Sequence, residues 1–210
     1  MIILDFGSGE TCKNDVAYAK RMIDELKEVD SGKHQVVIKW QLFQAETVPY
    51  VEGLAMWVFD EAYRYAASVG YETTASVFDA FSLRKLLDYN VPFVKLACRE
   101  WCYPLLGLPC MMGVNAIVSV RDQASMTPFR VQWGAETMCC VPKYPAWPVH
   151  YTRGFDDLSL ACGISDHSED WGLYNTHRPD IYECHYKLED STGPDAASFA
   201  RTPKQLREIL

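Results

Sequence analysis

The stretch "ACGISDHSEDWG", Ala161–Gly172, passes from a short apolar run into Ser165, Asp166, His167 and Ser168 and then turns acidic. A strand that ends on an open loop is where catalytic groups tend to sit, although one histidine taken alone reads more readily as a buried structural residue. Its neighbourhood helps to decide. The strand expected to feed it is "LSLAC" (158–162), and seven other runs share its β-rich character: "IILDF" (2–6), "QVVIKW" (35–40), "YETTASV" (71–77), "FVKLA" (93–97), "PCMM" (109–112), "ETMCCV" (136–141) and "IYECHY" (181–186).

Helical spacing separates the first of these runs. Val16, Ala19, Met22, Ile23, Leu26 and Val29 recur on one face of "NDVAYAKRMIDELKEV", and Leu54, Val58, Ala62, Tyr65 and Val69 form a stripe that stops at Gly70. The later connections have room for only a turn or two of helix. Eight strand–helix units in one domain, residues 1–210, predict an α/β fold of the (β/α)8 barrel type, compact and with a trimmed second half. An open doubly wound sheet is the structural alternative, because "DFGSGETC" follows a strand and precedes a helix. Its third glycine position is Cys12, however, so the dinucleotide fingerprint fails.

Composition excludes several classes of function. The 210 residues are 49% hydrophobic and 23% charged, and no apolar run approaches the roughly 18 residues of a membrane span, so no membrane partner is expected. A net charge of −8 with scattered basic residues argues against nucleic acid. The opening "MIILDFGSGE" has no basic leader, which predicts a cytoplasmic protein. Five of the eight cysteines (Cys110, Cys139, Cys140, Cys162 and Cys184) fall in strand-like runs, as reduced core thiols do, and none has the C-x-x-C spacing of a zinc site.

In a barrel, alternate strand residues point inward and the functional end is the C-terminal one. Lys39 and Gln41 share parity, as do Ser165 and His167, and Glu183 and His185; Asp5, Ser76 and Lys95 complete a polar set at strand ends. Two lysines within runs as apolar as "VVIKW" and "FVKLA" call for an anion between them, a phosphate or a carboxylate. Neighbouring strands lie roughly 5 Å apart, which would let His167 and His185 meet at one metal ion. Glu183 adds a carboxylate for proton transfer.

These residues carry a resemblance to the catalytic barrel of the sialic acid (N-acetylneuraminate) synthase family. "LDFGSGET", "VVIKWQLFQAE", "TASVFD" and "VKLACRE" resemble its early strands, while "GISDHS" followed by "YECHYKLEDSTGPD" resembles its Gly-x-Ser-Asp-His and Glu-x-His-Phe-x-Leu...Gly-Pro-Asp pair. The resemblance implies condensation of phosphoenolpyruvate with an aldose such as N-acetylmannosamine, giving a 2-keto sugar acid and phosphate. It implies Lys39, Ser76, Lys95 and Ser165 as phosphoenolpyruvate ligands. Asp5, a glutamate in the family, would face the sugar with Gln41, Tyr144, Glu183 and Asp195, and His167 and His185 would hold Mn2+ or Mg2+.

Departures from the family pattern are also present. Gly113 in "MMGVNA" and Cys98 stand where the resemblance expects hydroxyls, and Pro142 where it expects an asparagine. The family continues into an antifreeze-like domain that supplies an arginine, whereas this sequence ends at Leu210. Exposed strand ends and a shortened helical ring lead to the expectation of a homo-oligomer or a separate capping subunit over part of the surface. The alternative function is a catalytically impaired barrel that binds a sugar or phosphate ligand or serves as an interaction subunit.

Overall fold

A computed structural model describes residues 1–155, 158 and 161–210 of the chain. Eight parallel strands close into a barrel in sequence order: β1 (Ile2–Gly7), β2 (Val36–Leu42), β3 (Glu72–Val77), β4 (Val94–Leu96), β5 (Ala116–Val120), β6 (Glu136–Cys140), β7 (Gly163–Asp166) and β8 (Ile181–His185). Pairing of β1 with both β2 and β8 closes the ring. The expected (β/α)8 barrel is therefore the observed fold, and the open-sheet alternative is excluded.

The helices follow the pattern of apolar positions. In α1 (Val16–Val29) Ala19, Met22, Ile23 and Leu26 are buried, and the Asp15 carboxylate caps the helix by accepting from the Tyr18 N–H at 3.0 Å. Helix α2 (Met56–Ser68) buries Val58, Phe59, Ala62 and Ala66, and the chain leaves it through Gly70 at φ +98°. The remaining helices are short: α3 (Ala80–Leu86), α4 (Gly107–Met111), α5 (Met126–Trp133), α6 (Pro148–Gly154), α7 (Gly172–His177) and α8 (Pro203–Leu206). The trimmed second half is thus observed. Among the described residues no helix is long and apolar enough to cross a membrane.

Two strand expectations are corrected. The segment 109–112 is not the fifth strand: Pro109, Cys110 and Met111 lie in α4, and the strand begins at Ala116. Its β-branched Ile117, Val118 and Val120 suit a pleated ladder, whereas Pro109 has no N–H to give one. Cys110 is accordingly a half-buried helical residue rather than a strand thiol, and Gly113 precedes β5 instead of following it. The strand expected at 158–162 falls partly on residues outside those described, and β7 starts at Gly163, so Cys162 sits just before it. At Gly163 a Cβ would collide with the Ile181 carbonyl of β8, which makes glycine a requirement of this close pairing. All eight cysteines are free thiols.

Two apolar layers hold the barrel. One, between strands and helices, contains Leu4, Phe6, Ile38, Trp40, Phe59 and Tyr186. The other plugs the inside of the barrel at its N-terminal end with Ile3, Val37, Phe93, Ile117, Met138 and Ile181. Side chains that point inward further along the strands rise above this plug toward the C-terminal rim, where alternation turns them polar.

Candidate active site

Strand pairing fixes the first contacts of the polar layer. Asp5 lies level with Lys39 on one side and His185 on the other, Ser76 with Lys95, and Ser165 with Glu183. Above them opens a cavity of about 420 Å³ lined by all eleven residues singled out from the sequence: Asp5, Lys39, Gln41, Ser76, Lys95, Tyr144, Ser165, His167, Glu183, His185 and Asp195. Eight of these are buried. Tyr144 is 44% exposed at the rim, and Gln41 and Asp195 are half-buried.

The centre is a charge network that crosses the barrel. Lys39 Nζ donates to Asp5 Oδ2 at 2.6 Å and to Ser76 Oγ at 2.9 Å, and lies 3.6 Å from Glu183 Oε2. Lys95 Nζ donates to Ser119 Oγ at 2.7 Å and to Glu183 Oε1 at 3.2 Å; the Ser165 hydroxyl donates to the same oxygen at 2.7 Å. Burial by itself would raise the Glu183 carboxyl, but Lys39 and Lys95 outweigh it and hold the group well below the usual carboxylate range. For Lys39 burial works against the ammonium, and Asp5 followed by Glu183 raises it again. Two buried cations thus face two buried carboxylates.

Asp5 is fully engaged by the protein. Its Oδ1 accepts from the Gly7 N–H at 3.0 Å, and its Oδ2 accepts from Lys39 and, at 3.0 Å, from Gln41 Nε2. Gln41 also donates to Asp195 Oδ1 at 3.0 Å, and Asp195 Oδ2 accepts from the Ser8 N–H at 3.2 Å. Gly7, at φ +77°, makes this approach feasible, since a Cβ there would come within 2.8 Å of Asp195 Cβ. Burial raises the Asp195 carboxyl against the pull of His185, with Asp5 adding to the rise.

The polar end of "GISDHS" now has an explanation residue by residue. Ser165 and His167 point into the cavity. Asp166 is buried on the other side, where its Oδ2 accepts from the Tyr182 hydroxyl at 2.7 Å and its Oδ1 from the Ser168 N–H at 2.7 Å, pinning the turn. The Tyr151 hydroxyl donates to the Ser165 carbonyl at 2.8 Å and accepts from the His167 N–H at 3.0 Å. Arg201, 1% exposed, donates to the carbonyls of Ser168 and Asp170 and packs its guanidinium over Trp171.

His167 and His185 have ring centroids 5.4 Å apart. Nδ1 of His167 lies 2.8 Å from the Val141 carbonyl, so it carries the proton and Nε2 keeps its lone pair. Burial, then the neighbouring His185, push the His167 pKa down to about 3, and the ring is neutral. Nδ1 of His185 is buried with no hydrogen-bond partner, and Asp195 Oδ1 is 3.5 Å away. Among the described residues no group of three or more His, Cys, Asp or Glu side chains is arranged to hold a metal ion. What these residues offer a divalent cation is two imidazole donors, Nε2 of His167 and the buried, unpartnered Nδ1 of His185.

Ser119 is a site residue absent from the sequence expectation, because β5 lies at Ala116–Val120 and not at 109–112. On β5 its hydroxyl takes the Lys95 ammonium, supplying the oxygen that Gly113 does not, and the alternation in "AIVSV" was the available signal. Cys140, Arg99, Trp101 and Phe199 also line the cavity without having been singled out for it. Phe199 packs on His185 with centroids 4.9 Å apart, and no sequence pattern announced it.

No protein-family model matches the sequence, and no curated protein matches it. Solved structures do. N-acetylneuraminic acid (sialic acid) synthetase from Leptospira borgpetersenii, solved in complex with citrate, superposes with a TM-score of 0.76 at 21% identity, over 99% of this chain and 80% of that one. The spore coat polysaccharide biosynthesis protein spsE from Bacillus subtilis gives 0.74 at 22% identity, covering 99% and 65%. A truncated 3-deoxy-D-arabino-heptulosonate 7-phosphate synthase from Thermotoga maritima gives 0.68 at 11% identity, covering 99% and 82%. At these identities the likeness is one of fold.

Proposed function

We propose that the chain condenses phosphoenolpyruvate with an aldose of the N-acetylmannosamine type, forming a carbon–carbon bond and releasing phosphate. The observation that carries this reading is the pair of lysines, each 2% exposed, that flank Glu183 in the cavity that the two histidines also line. The synthase names borne by two of the solved structures of like fold support the same class of reaction.

In this reading Lys39 and Lys95, with the hydroxyls of Ser76, Ser119 and Ser165, hold the phosphate and carboxylate of phosphoenolpyruvate in a site that excludes bulk water. Gln41, Tyr144 and Asp195 stand where the acceptor sugar enters and fix its orientation. His167 and His185 would hold Mn2+ or Mg2+, which when bound supplies Lewis-acid polarisation of the sugar aldehyde. Carbon–carbon bond formation leaves an electron-poor C2, and water adds there. Glu183, held ionised between the two lysines, orients that water, whose proton passes to the alkoxide left on the former aldehyde carbon, and the C2–O bond to phosphate then breaks. The lysines stabilise the departing phosphate.

A second reading, a barrel that binds the anion without turnover, is favoured by one feature: both lysines are already paired, Lys39 with Asp5 and Lys95 with Glu183, so an entering dianion must compete with resident carboxylates. Phosphate release from phosphoenolpyruvate, assayed with a panel of aldoses and manganese, separates the two. Release that depends on the aldose supports the enzyme, whereas a melting-temperature rise with phosphoenolpyruvate and no release supports the binder. For the metal, calorimetric manganese binding is expected in the native chain and is expected to vanish in the His167→Ala, His185→Ala double variant; binding that survives both changes refutes the assignment.

A further inference from the structure

Arg99, three residues beyond β4, lines the cavity and has no part in the chemistry proposed above. It is half-buried, and its guanidinium is held from two sides: Nη1 donates to the Cys98 carbonyl at 3.2 Å, and Cζ lies 6.0 Å from the centroid of the Trp101 ring. The segment that carries both residues is anchored in turn, because the Tyr103 hydroxyl donates to the Ser119 carbonyl at 3.2 Å. Arg99 therefore shares the β4–β5 side of the barrel with Lys95 and Ser119, whereas Gln41 and Asp195 join each other beside β1 and β2. Charge sets it apart. Of the lysines and arginines that line the cavity, Lys39 is opposed by Asp5 and Glu183, and Lys95 by Glu183, but among the described residues no carboxylate pairs with Arg99. Its field also reaches the tyrosine at the rim: burial, then Cys140, raise the Tyr144 hydroxyl, and Arg99 is the charge that opposes them. An anion that enters thus meets one positive charge which no resident carboxylate has already neutralised.

We propose that Arg99 is a phosphate ligand of the cavity, which grips the phosphate of phosphoenolpyruvate together with Lys95 and Ser119. The inference rests on the phosphoenolpyruvate reading and adds to it the residue that draws the anion in although both lysines are paired. A planar guanidinium presents parallel N–H groups that match two oxygens of a phosphate, and the bond to Cys98 occupies Nη1 while leaving the other N–H groups for the ligand. Anchorage by a carbonyl and an indole ring means that little side-chain freedom is lost on binding. The placement beside Lys95 and Ser119 assigns the arginine to the phosphate of phosphoenolpyruvate rather than to the acceptor, which the proposed function sets against Gln41 and Asp195.

The test is titration calorimetry of the full chain with phosphoenolpyruvate, inorganic phosphate, pyruvate and mannose 6-phosphate, in the native protein and in Arg99→Met and Arg99→Lys. Arg99→Met is expected to bind phosphoenolpyruvate and inorganic phosphate about 10- to 100-fold more weakly, the loss of a charge-assisted pair, and to bind pyruvate as the native chain does. Arg99→Lys should regain part of the loss, because the charge returns without the fork. Unchanged phosphoenolpyruvate binding in Arg99→Met overturns the inference and leaves the lysine site standing. An equal loss for pyruvate also overturns it, since the arginine would then hold the carboxylate, as does a loss confined to mannose 6-phosphate, which would put it on the acceptor. A native chain that binds neither phosphoenolpyruvate nor inorganic phosphate removes the underlying reading as well.

Discussion

His167 is wedged between Tyr144, with centroids 4.2 Å apart, and Phe199, at 6.2 Å, with its Nδ1–H given to the Val141 carbonyl. Burial of the ring and, after it, the neighbouring His185 disfavour a second proton, which is the physical content of a pKa near 3 against 6.5 in the unfolded chain. Between those two values the unfolded chain binds one proton that the native chain refuses. Stability of the metal-free protein is therefore expected to fall as pH drops below about 6.5, with His167 contributing a slope of about 1.4 kcal/mol per pH unit until the folded chain also protonates. Urea unfolding in chelator at a series of pH values measures it. In His167→Gln this share of the slope should be absent, and an unchanged slope would mean that the histidine is already charged in the fold.

Elements were legible in proportion to how much of their identity lies in periodicity. Helix α1 was readable because Ala19, Met22, Ile23 and Leu26 occupy one face and are, with Tyr18, the residues buried. Its Asp15 cap gives an expected cost of about 1 kcal/mol for Asp15→Ala, read as a lower urea midpoint with an unchanged m-value. A null effect would show that water replaces the cap. The misread fifth strand shows the opposite case. A short apolar run such as "PCMM" carries no period, and length and hydrophobicity do not distinguish a buried helical turn from a strand; Pro109 and the later β-branched run were the deciding features. That error hid Ser119. The site residues on β2, β3, β4 and β8 were legible by parity, because a polar residue inside an apolar strand must point at something. Phe199 and Arg201 were not, since they follow β8 in irregular chain whose return to the barrel is set by tertiary contacts, including the Tyr186–Arg201 bridge.

At the scale of the whole molecule, the polar layer ties together strands that the ladder alone would not. Lys39 on β2 reaches β1 and β3 through Asp5 and Ser76, Ser165 on β7 reaches Glu183 on β8, and Lys95 on β4 spans the barrel interior to the same Glu183. With Ser119 of β5 accepting from Lys95, seven of the eight strands meet in one network in which Asp5 balances Lys39 and Glu183 balances Lys95. Removing one partner of such a pair leaves an uncompensated buried charge, so Lys95→Met and Glu183→Gln are each expected to cost about 3–5 kcal/mol. Removing both leaves the Lys39–Asp5 pair intact and no orphaned charge. The double variant should therefore be more stable than the sum of the singles predicts, with a coupling energy of about 0.5–3 kcal/mol from a double-mutant cycle of urea unfolding. The sign is the informative part. Strictly additive costs would mean that Lys95 and Glu183 are each stabilised by separate partners, Ser119 for one and Lys39 for the other, and that the link across the barrel carries no energy. A coupling of the expected sign would make Glu183 the hinge of the cavity's electrostatics, so that an anion entering beside Lys95 has to displace a contact that the fold itself relies on.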